Sequence, residues 1–299
     1  MRKILLASTA LVALTSVSAM AADVTISGSA SLIYKNDDQA EPSNGDSGSA
    51  SSMGSETDVN INFSATSDSG ITTTMSAGFD EAGRTDDANA SISGDFGTIK
   101  FVADLGGQTD DSVINGFDEA HNKAGEGTAG VSNGLATQAG ESISYTLPSI
   151  VDGMTIAVAH TNEDTTESFG YGIAYDAGIA KVQYATISNN TTDIKSANIS
   201  TTVSGISLGY EQNKTETATT ESESTLYGVS YTMDAVTLAY EAGSTKNKSG
   251  ATTDDYSQMA VAYSVATGVS LIITNSEVDD QTSANADVEE MEIQLKLSF

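Results

Sequence analysis

The sequence has 299 residues and a formal net charge of −29, from 41 acidic against 12 basic side chains, so nucleic acid and anionic lipid are poor partners. It contains no cysteine, which excludes disulfides and thiol chemistry. Two prolines and 27 glycines among many serines and threonines favour short strands and turns over helices. A disordered or adhesin-like secreted protein has a similar composition, so the pattern along the chain must decide.

Residues 1–21 are predicted to be a cleaved signal peptide. Met1-Arg2-Lys3 is a charged start, residues 4–17 are mostly apolar, and Ala19-Met20-Ala21 fits an A-x-A cleavage site. The apolar run is short for spanning a bilayer. We therefore expect one domain over residues 22–299, without the signal peptide.

Strict alternation of apolar and polar residues begins directly after this segment. Between residues 23 and 35 one face carries Val24, Ile26, Gly28, Ala30, Leu32 and Tyr34, and the other is mainly polar. A polar loop is predicted at 36–57, followed by another alternating strand, a tight turn at Asp68-Ser69-Gly70 and a returning strand. Such alternation predicts strands with two different surroundings.

The connections are sorted into two kinds. Short turns are predicted at Ser67–Gly70, Gly94–Gly97, Ser149–Gly153, Asp176–Gly178, Ser204–Gly205, Thr232–Ala235 and Ala266–Gly268. Longer loops are predicted at 36–57, 81–88, 105–140, 162–167, 188–193, 214–223, 243–254 and 277–287. These connections join about sixteen strands, and turns on one side with longer loops on the other are typical of an outer-membrane barrel.

The apolar faces repeatedly carry an aromatic residue near one end. These rings predict aromatic girdles at the membrane–water boundaries: Tyr145, Tyr175, Tyr184, Tyr210, Tyr231, Tyr240, Tyr263 and Phe299. The opposite faces are polar, which predicts a hydrated lumen. The predicted fold is an all-β, antiparallel transmembrane β-barrel, with short periplasmic turns and longer outer loops, closed so that no strand edge meets lipid.

One loop, 105–140, interrupts the alternation for more than thirty residues. Connections this long are usually functional or disordered. Val113, Ile114 and Phe117 favour a packed loop, and its acids include Asp110, Asp111, Asp118, Glu119 and Glu126.

The sequence resembles general porins of the alphaproteobacterial type. The resemblance covers the chain from residue 22 onward and rests on Asp23-Val-Thr-Ile-Ser-Gly, on Ser93-Gly-Asp-Phe-Gly-Thr-Ile-Lys100 and on Phe299. It implies a sixteen-stranded trimeric outer-membrane channel of a Gram-negative bacterium, whose third loop folds into the pore. Carried over, 105–140 is the constriction loop, with Asp110, Asp111, Asp118, Glu119 and Glu126 as its acidic lining. Basic wall residues usually face these acids; in place of an arginine cluster this chain offers Lys35, Arg84 and Lys100.

These features predict a cation-preferring channel for passive diffusion of ions and small hydrophilic solutes. The expected partners are outer-membrane lipid, two further copies of the chain in a homotrimer, and small solutes and cations, with no nucleic acid. No cofactor is required; calcium could be held by loop acids, although no loop has EF-hand spacing.

Two alternatives stay open: a substrate-specific porin, which would need lumen aromatics or a basic lumen, and a non-conducting structural or adhesive barrel. An enzyme is not expected. Gly45-Asp-Ser-Gly48, Gly130-Val-Ser-Asn-Gly134 and Gly125-Glu-Gly-Thr-Ala-Gly130 match catalytic or nucleotide-binding strings, but none has the required flanking elements.

Overall fold

A computed structural model describes residues 23–39, 50–80, 85–104, 141–163, 166–248, 252–280 and 287–299, and these form sixteen strands. The strands are β1 (Asp23–Gln39), β2 (Ala50–Thr66), β3 (Thr72–Phe79), β4 (Thr85–Gly94), β5 (Gly97–Asp104), β6 (Glu141–Thr146), β7 (Met154–Glu163), β8 (Thr166–Asp176), β9 (Lys181–Ser188), β10 (Thr192–Val203), β11 (Ile206–Thr217), β12 (Glu221–Met233), β13 (Val236–Asn247), β14 (Thr252–Ala266), β15 (Val269–Asp280) and β16 (Asp287–Ser298). Within these ranges no helix has the length and apolarity needed to cross a membrane. The predicted signal peptide and the loop 105–140 lie outside the described residues.

The strands form one closed antiparallel barrel in which each strand pairs with its neighbours in sequence and β1 pairs with β16. At this seam the Gly28 and Phe299 backbones exchange two hydrogen bonds, with N···O distances of 3.2 and 3.1 Å. On the lumen side Gln294 Nε2 donates to Ser31 Oγ at 3.1 Å. Closure pairs the edges that an open sheet would expose. The predicted sixteen-stranded barrel is confirmed.

Alternating side chains separate the two surfaces of the wall, as strand β8 shows. Its outward residues are exposed, whereas the residues between them are buried towards the barrel interior. The exposed set is Phe169, Tyr171, Ile173 and Tyr175, and the buried set is Ser168, Gly170, Gly172 and Ala174. Cross-strand pairing carries this assignment around the barrel, because directly paired residues point to the same face.

The short turns use backbone conformations that their residues suit. Ser204 and Gly205 have φ values of 52° and 81°, and they alone connect β10 to β11. Two successive positive φ values in a two-residue connection match the twist of the flanking strands. At Gly153, with φ 76°, a Cβ atom would also overlap the Asp176 carbonyl oxygen. The predicted turn positions are confirmed.

The predicted bounds of most longer loops are wrong. Strands β1 and β2 continue into the region 36–57, and strands also extend into the predicted loops at 162–167, 214–223, 243–254 and 277–287. These strand ends carry polar residues on both faces, as Asp254 and Asp255 show. Because both faces are polar, the hydrophobic alternation disappears although backbone pairing continues.

Candidate pore lining

The inner face of the barrel is polar over most of its circumference. Pairing and burial assign the following inward polar residues on β8–β16 and β1: Ser168, Gln183, Ser196, Asn198, Ser200, Ser207, Glu211, Ser230, Glu241, Gln258, Thr274, Ser276, Glu292, Gln294 and Ser31. A soluble barrel of this kind would have an apolar interior. The polar lumen inferred from the sequence agrees with this placement.

Carboxylates concentrate on one side of the lumen, on a surface that we call the acidic wall. It consists of Glu56 and Asp58 on β2, Glu211 on β11, Glu241 on β13, and Glu290 and Glu292 on β16. Each lies on the polar face of its strand, because its directly paired neighbours are inward residues. Glu211 and Glu241 are only 0% and 2% exposed.

The wall lysine Lys35, predicted to face the acidic loop, contacts the acidic wall itself. Its Nζ lies 3.0 Å from Glu292 Oε2 and 3.7 Å from Glu290 Oε1, across the pairing of β1 with β16. Both partners are more buried than the lysine. The positive charge of Lys35 is therefore largely offset by its own wall.

The other predicted pore residues fall in different places. Lys100 lies on the lumen face of β5, level with Ser91 and Ser144. Arg84 lies outside the described residues, as do Asp110, Asp111, Asp118, Glu119 and Glu126, so their predicted roles stay predictions.

Buried carboxamides accompany two of the wall glutamates. Asn198 is directly opposite Glu211, and Gln258 is directly opposite Glu241. Asn198 is 6% exposed and Gln258 5%. Neither amide atom of Asn198 has a hydrogen-bond partner in the structure, and the Gln258 Oε1 atom has none either. Two residues along β11 from Glu211, Asn213 donates from Nδ2 to Glu211 Oε1 at 2.6 Å.

All eleven tyrosines lie in the described ranges, and among them Tyr256 alone points into the lumen. Its ring covers Gly243 on β13, and its hydroxyl donates to the Thr225 carbonyl at 3.3 Å. The Tyr256 side chain also interacts electrostatically with Glu241 and Glu211.

Sequence reasoning had not singled out Glu211, Glu241, Asn198 or Tyr256. The signal was present in the strand period, since counting by twos from Val261 and Tyr263 assigns Tyr256 to the opposite face.

A second part of the lumen face, which we call the alanine face, is small and apolar. It consists of Ala157 and Ala159 on β7, Ala174 on β8, and Ala185 and Ile187 on β9, with Ile194 of β10 packed against them. The four alanines and Ile187 are each at most 5% exposed. This face contrasts with the carboxylates of the acidic wall.

The predicted girdle residues face outward. Tyr175, Tyr184, Tyr210, Tyr231, Tyr240 and Tyr263 are between 37% and 46% exposed, and Phe299 is 78% exposed. Tyr145 is less exposed, and its hydroxyl donates to the Phe96 carbonyl at 2.6 Å. Their proximity to the lipid boundary stays a prediction.

Charged residues form an ion-pair network on the outer face, at the loop ends of β10–β12. Glu216 lies 3.0 Å from both Lys195 Nζ and Lys214 Nζ, and Lys214 also lies 3.0 Å from Glu221. These residues lie beyond Tyr210, the last apolar outward residue of β11, and thus outside the apolar band of the outer face. Hydrogen bonds from Lys214 and Lys195 lower the pKa of Glu216, and the hydrogen bond to Glu216 is the main cause that raises the pKa of each lysine.

Within the described ranges, no group of three or more His, Asp or Glu side chains could hold a metal ion. The expectation of calcium rested on loop acids that lie outside these ranges.

The barrel is similar to those of several solved outer-membrane proteins. Solved structures with the same fold include an anion-selective porin from Comamonas acidovorans, at TM-score 0.70 and 13% identity. They also include a mutant of the Rh. blastica porin, at TM-score 0.68 and 12% identity, and a loop-deletion mutant of OmpT, an outer membrane protein of Vibrio cholerae, at TM-score 0.67 and 13% identity. Each similarity covers 93% of this chain and 100% of the other.

No curated protein matches the sequence significantly. At such low identities the solved structures establish the fold alone. A family model described as Gram-negative porin matches residues 7–287, nearly the whole chain. The chain therefore belongs to the Gram-negative porin family.

Proposed function

We propose that this protein is an outer-membrane channel for passive diffusion of ions and small hydrophilic solutes, with a preference for cations. The observation that carries the proposal is a polar, carboxylate-bearing inner face in a closed barrel of the Gram-negative porin family. Family membership supports an outer-membrane location and a channel rather than an enzyme. The outward apolar faces suit contact with lipid.

The cation preference follows from the charge of the wall and not from the fold. One structural neighbour is an anion-selective porin, so the fold alone does not determine a cation preference. In this chain Lys35 is paired with two glutamates, and further acids line β2, β11 and β13. Carboxylates along a narrow aqueous path attract cations and repel anions.

We assign the loop 105–140 to the alanine face as the constriction element. This face is apolar and buried although it points into the lumen, so a packed partner suits it better than water. The loop leaves β5 and returns at β6, next to β7 in the barrel, and its sequence supplies Val113, Ile114 and Phe117. Its acids would then narrow and charge the pore.

A homotrimer is part of the proposal, supported by an asymmetry of the outer face. Nine tyrosines point outward on β6–β14, whereas β2–β5 contain none. The outward positions of the first strands instead include Ala30, Ala77, Ala90 and Ala103. Small side chains allow two walls to approach closely, so we place the contact between subunits there.

A substrate-specific porin fits less well. A ladder of lumen aromatics would favour it, but within the described strands Tyr256 is the single aromatic ring on the lumen face, and it is packed against Gly243.

The test is planar-bilayer conductance of the purified protein, with the reversal potential measured in a salt gradient. We expect conductance steps in multiples of three and a cation-selective potential. Absence of conductance would refute the channel and favour a structural barrel. Steps that are not grouped by three would refute the trimer while leaving the channel intact.

A further inference from the structure

The acidic wall carries its charge at mid-strand, away from the mouths of the barrel. Glu211 and Glu241 lie near the middle of β11 and β13. Two lumen lysines, Lys181 and Lys296, lie instead beside the short turns, at the ends of β9 and β16. A cation crossing the middle of the lumen therefore passes carboxylates, whereas these two lysines act at the turn-side mouth.

Each of these two glutamates is directly opposite a carboxamide with a buried oxygen that has no hydrogen-bond partner. Asn198 and Gln258 are more than nine-tenths buried, and the atoms without a partner are Oδ1 and Nδ2 of Asn198 and Oε1 of Gln258. Direct cross-strand neighbours have Cβ atoms about 4.5–5.5 Å apart. The two side chains of each pair can thus reach a common ion.

The chemistry of these atoms favours small, hard cations. A carboxylate oxygen and an amide carbonyl oxygen are both ligands that such ions use. A buried carbonyl oxygen without a donor costs free energy, which a bound cation would remove. A sugar is disfavoured because the side chains are too buried to offer it a contact surface.

The surroundings strengthen the electrostatic effect. Outward neighbours on the same strands are Tyr210 beside Glu211 and Tyr240 beside Glu241, so the outer side of the wall is apolar. Low-dielectric material behind a charge screens it weakly and directs its field into the aqueous lumen.

We propose that the Asn198–Glu211 and Gln258–Glu241 pairs bind cations on the lumen wall and thereby set the cation preference of the channel. The proposal rests on the proposed channel function. It assigns the selectivity to residues of the barrel, independently of the loop 105–140.

The first experiment compares reversal potentials in a KCl gradient for the wild type and the double variant Glu211→Gln, Glu241→Gln. We expect the cation-to-anion permeability ratio to fall about two- to fivefold in the variant. The matched control is Glu277→Gln, Glu289→Gln, which removes the same charge from the outward face of β15 and β16. We expect the control to keep the wild-type ratio.

The second experiment detects the ion directly with Tb³⁺, a probe for oxygen-ligand sites that nearby tyrosine sensitises. The chain has no tryptophan, and Tyr256 lies two residues before Gln258 on the same face of β14. Its hydroxyl bonds the carbonyl of Thr225, whose neighbour Leu226 is paired with Glu211. We expect tyrosine-excited Tb³⁺ emission in the wild type, competed by Ca²⁺. Emission should be lost in the Glu→Gln double variant, and Asn198→Ala should weaken binding without changing the charge.

The outcomes distinguish a failure of the proposed cation-binding pairs from a failure of the proposed channel function. Absence of conductance in the wild type refutes the channel, while the Tb³⁺ measurement still tests the site. Normal conductance with an unchanged permeability ratio in the double variant overturns the inference. The inference is also overturned if Asp118→Asn abolishes the cation preference while the variant Glu211→Gln, Glu241→Gln keeps it. Heat-modified mobility on gels confirms that each variant has folded before it is measured.

Discussion

The alanine face and the acidic wall are built by the same strand period and yet have opposite chemistry. On β7 and β9 the inward positions include Ala157, Ala159 and Ala185, and on β8 they include Gly170 and Gly172. From β11 round to β2 the inward positions carry carboxylates and amides. Alternation thus determines which side chains point inward, and residue type determines whether that surface suits packed protein or ions. The lumen is therefore not one uniform surface.

The largest effect is expected from filling the alanine face. Ala185→Trp places a large ring at a position that is 0% exposed, and overpacking of this kind costs about 1–3 kcal/mol. If the loop 105–140 packs there, the ring also displaces it and changes single-channel conductance. Thermal unfolding on gels and bilayer recording measure both effects.

The control for this substitution is Ala197→Trp on β10, whose side chain is exposed on the outer face. It should leave conductance unchanged. If Ala185→Trp also leaves it unchanged, the loop does not occupy the alanine face.

The second-largest effect is expected where β1 pairs with β16, at the contact of Lys35 with the acidic wall. Lys35→Met removes the partner of Glu292, which is 7% exposed, and hydrogen bonds to charged groups contribute about 1.5–3 kcal/mol. We expect lower stability in urea and a stronger cation preference, because the wall loses the positive charge that contacts Glu292 and Glu290. Adding Glu292→Gln to this variant should restore part of the stability. A Lys35→Met protein as stable as the wild type would show that the ion pair contributes nothing.

A smaller effect is expected at the inward tyrosine. Tyr256→Phe keeps the ring over Gly243 but removes the hydrogen bond to Thr225, which should cost about 0.5–1.5 kcal/mol. Gly243→Ala should be worse than Tyr256→Phe, since its methyl group would collide with both the Tyr256 hydroxyl and the Thr225 carbonyl. Urea denaturation measures the stability of both variants. A Gly243→Ala protein more stable than Tyr256→Phe would contradict this packing.

The smallest effect lies outside the pore, in the ion-pair network around Glu216. Its pKa is below the ordinary value of 4.5, so its stabilising contribution is present above that pH and is lost as the pH falls through the lowered pKa. The raised pKa values of Lys195 and Lys214 give a contribution present below 10.5 and lost as the pH rises through them. Glu216→Gln should flatten the acid limb of the stability profile and leave ion selectivity unchanged.

The fold could be predicted because alternation and turn residues are local signals. The strand number, the turns at Ser204–Gly205 and Ala266–Gly268, and the outward tyrosines all follow from them. Loop bounds could not, because a strand that extends into water on both faces, such as the start of β14, loses its apolar period while keeping its hydrogen bonds.

The site was harder to predict from the sequence for a different reason. The pairing of Lys35 with Glu292 and of Asn198 with Glu211 depends on the register between strands, and polar faces look alike along one strand. Lys35 could be assigned to the lumen, but its partners on β16 are more than two hundred residues away in sequence.

That separation has a kinetic consequence. The bond between Gln294 and Ser31 joins positions 263 residues apart, whereas every other strand pair is formed by neighbours along the chain. Contacts between distant positions lose the most chain entropy on forming and slow folding. Hairpins of the barrel can assemble in any order, but the seam is the one step that requires the whole sheet, and until then β1 and β16 are open edges available to other chains. The hydrogen bonds between Gly28 and Phe299 therefore form part of the final contact of assembly.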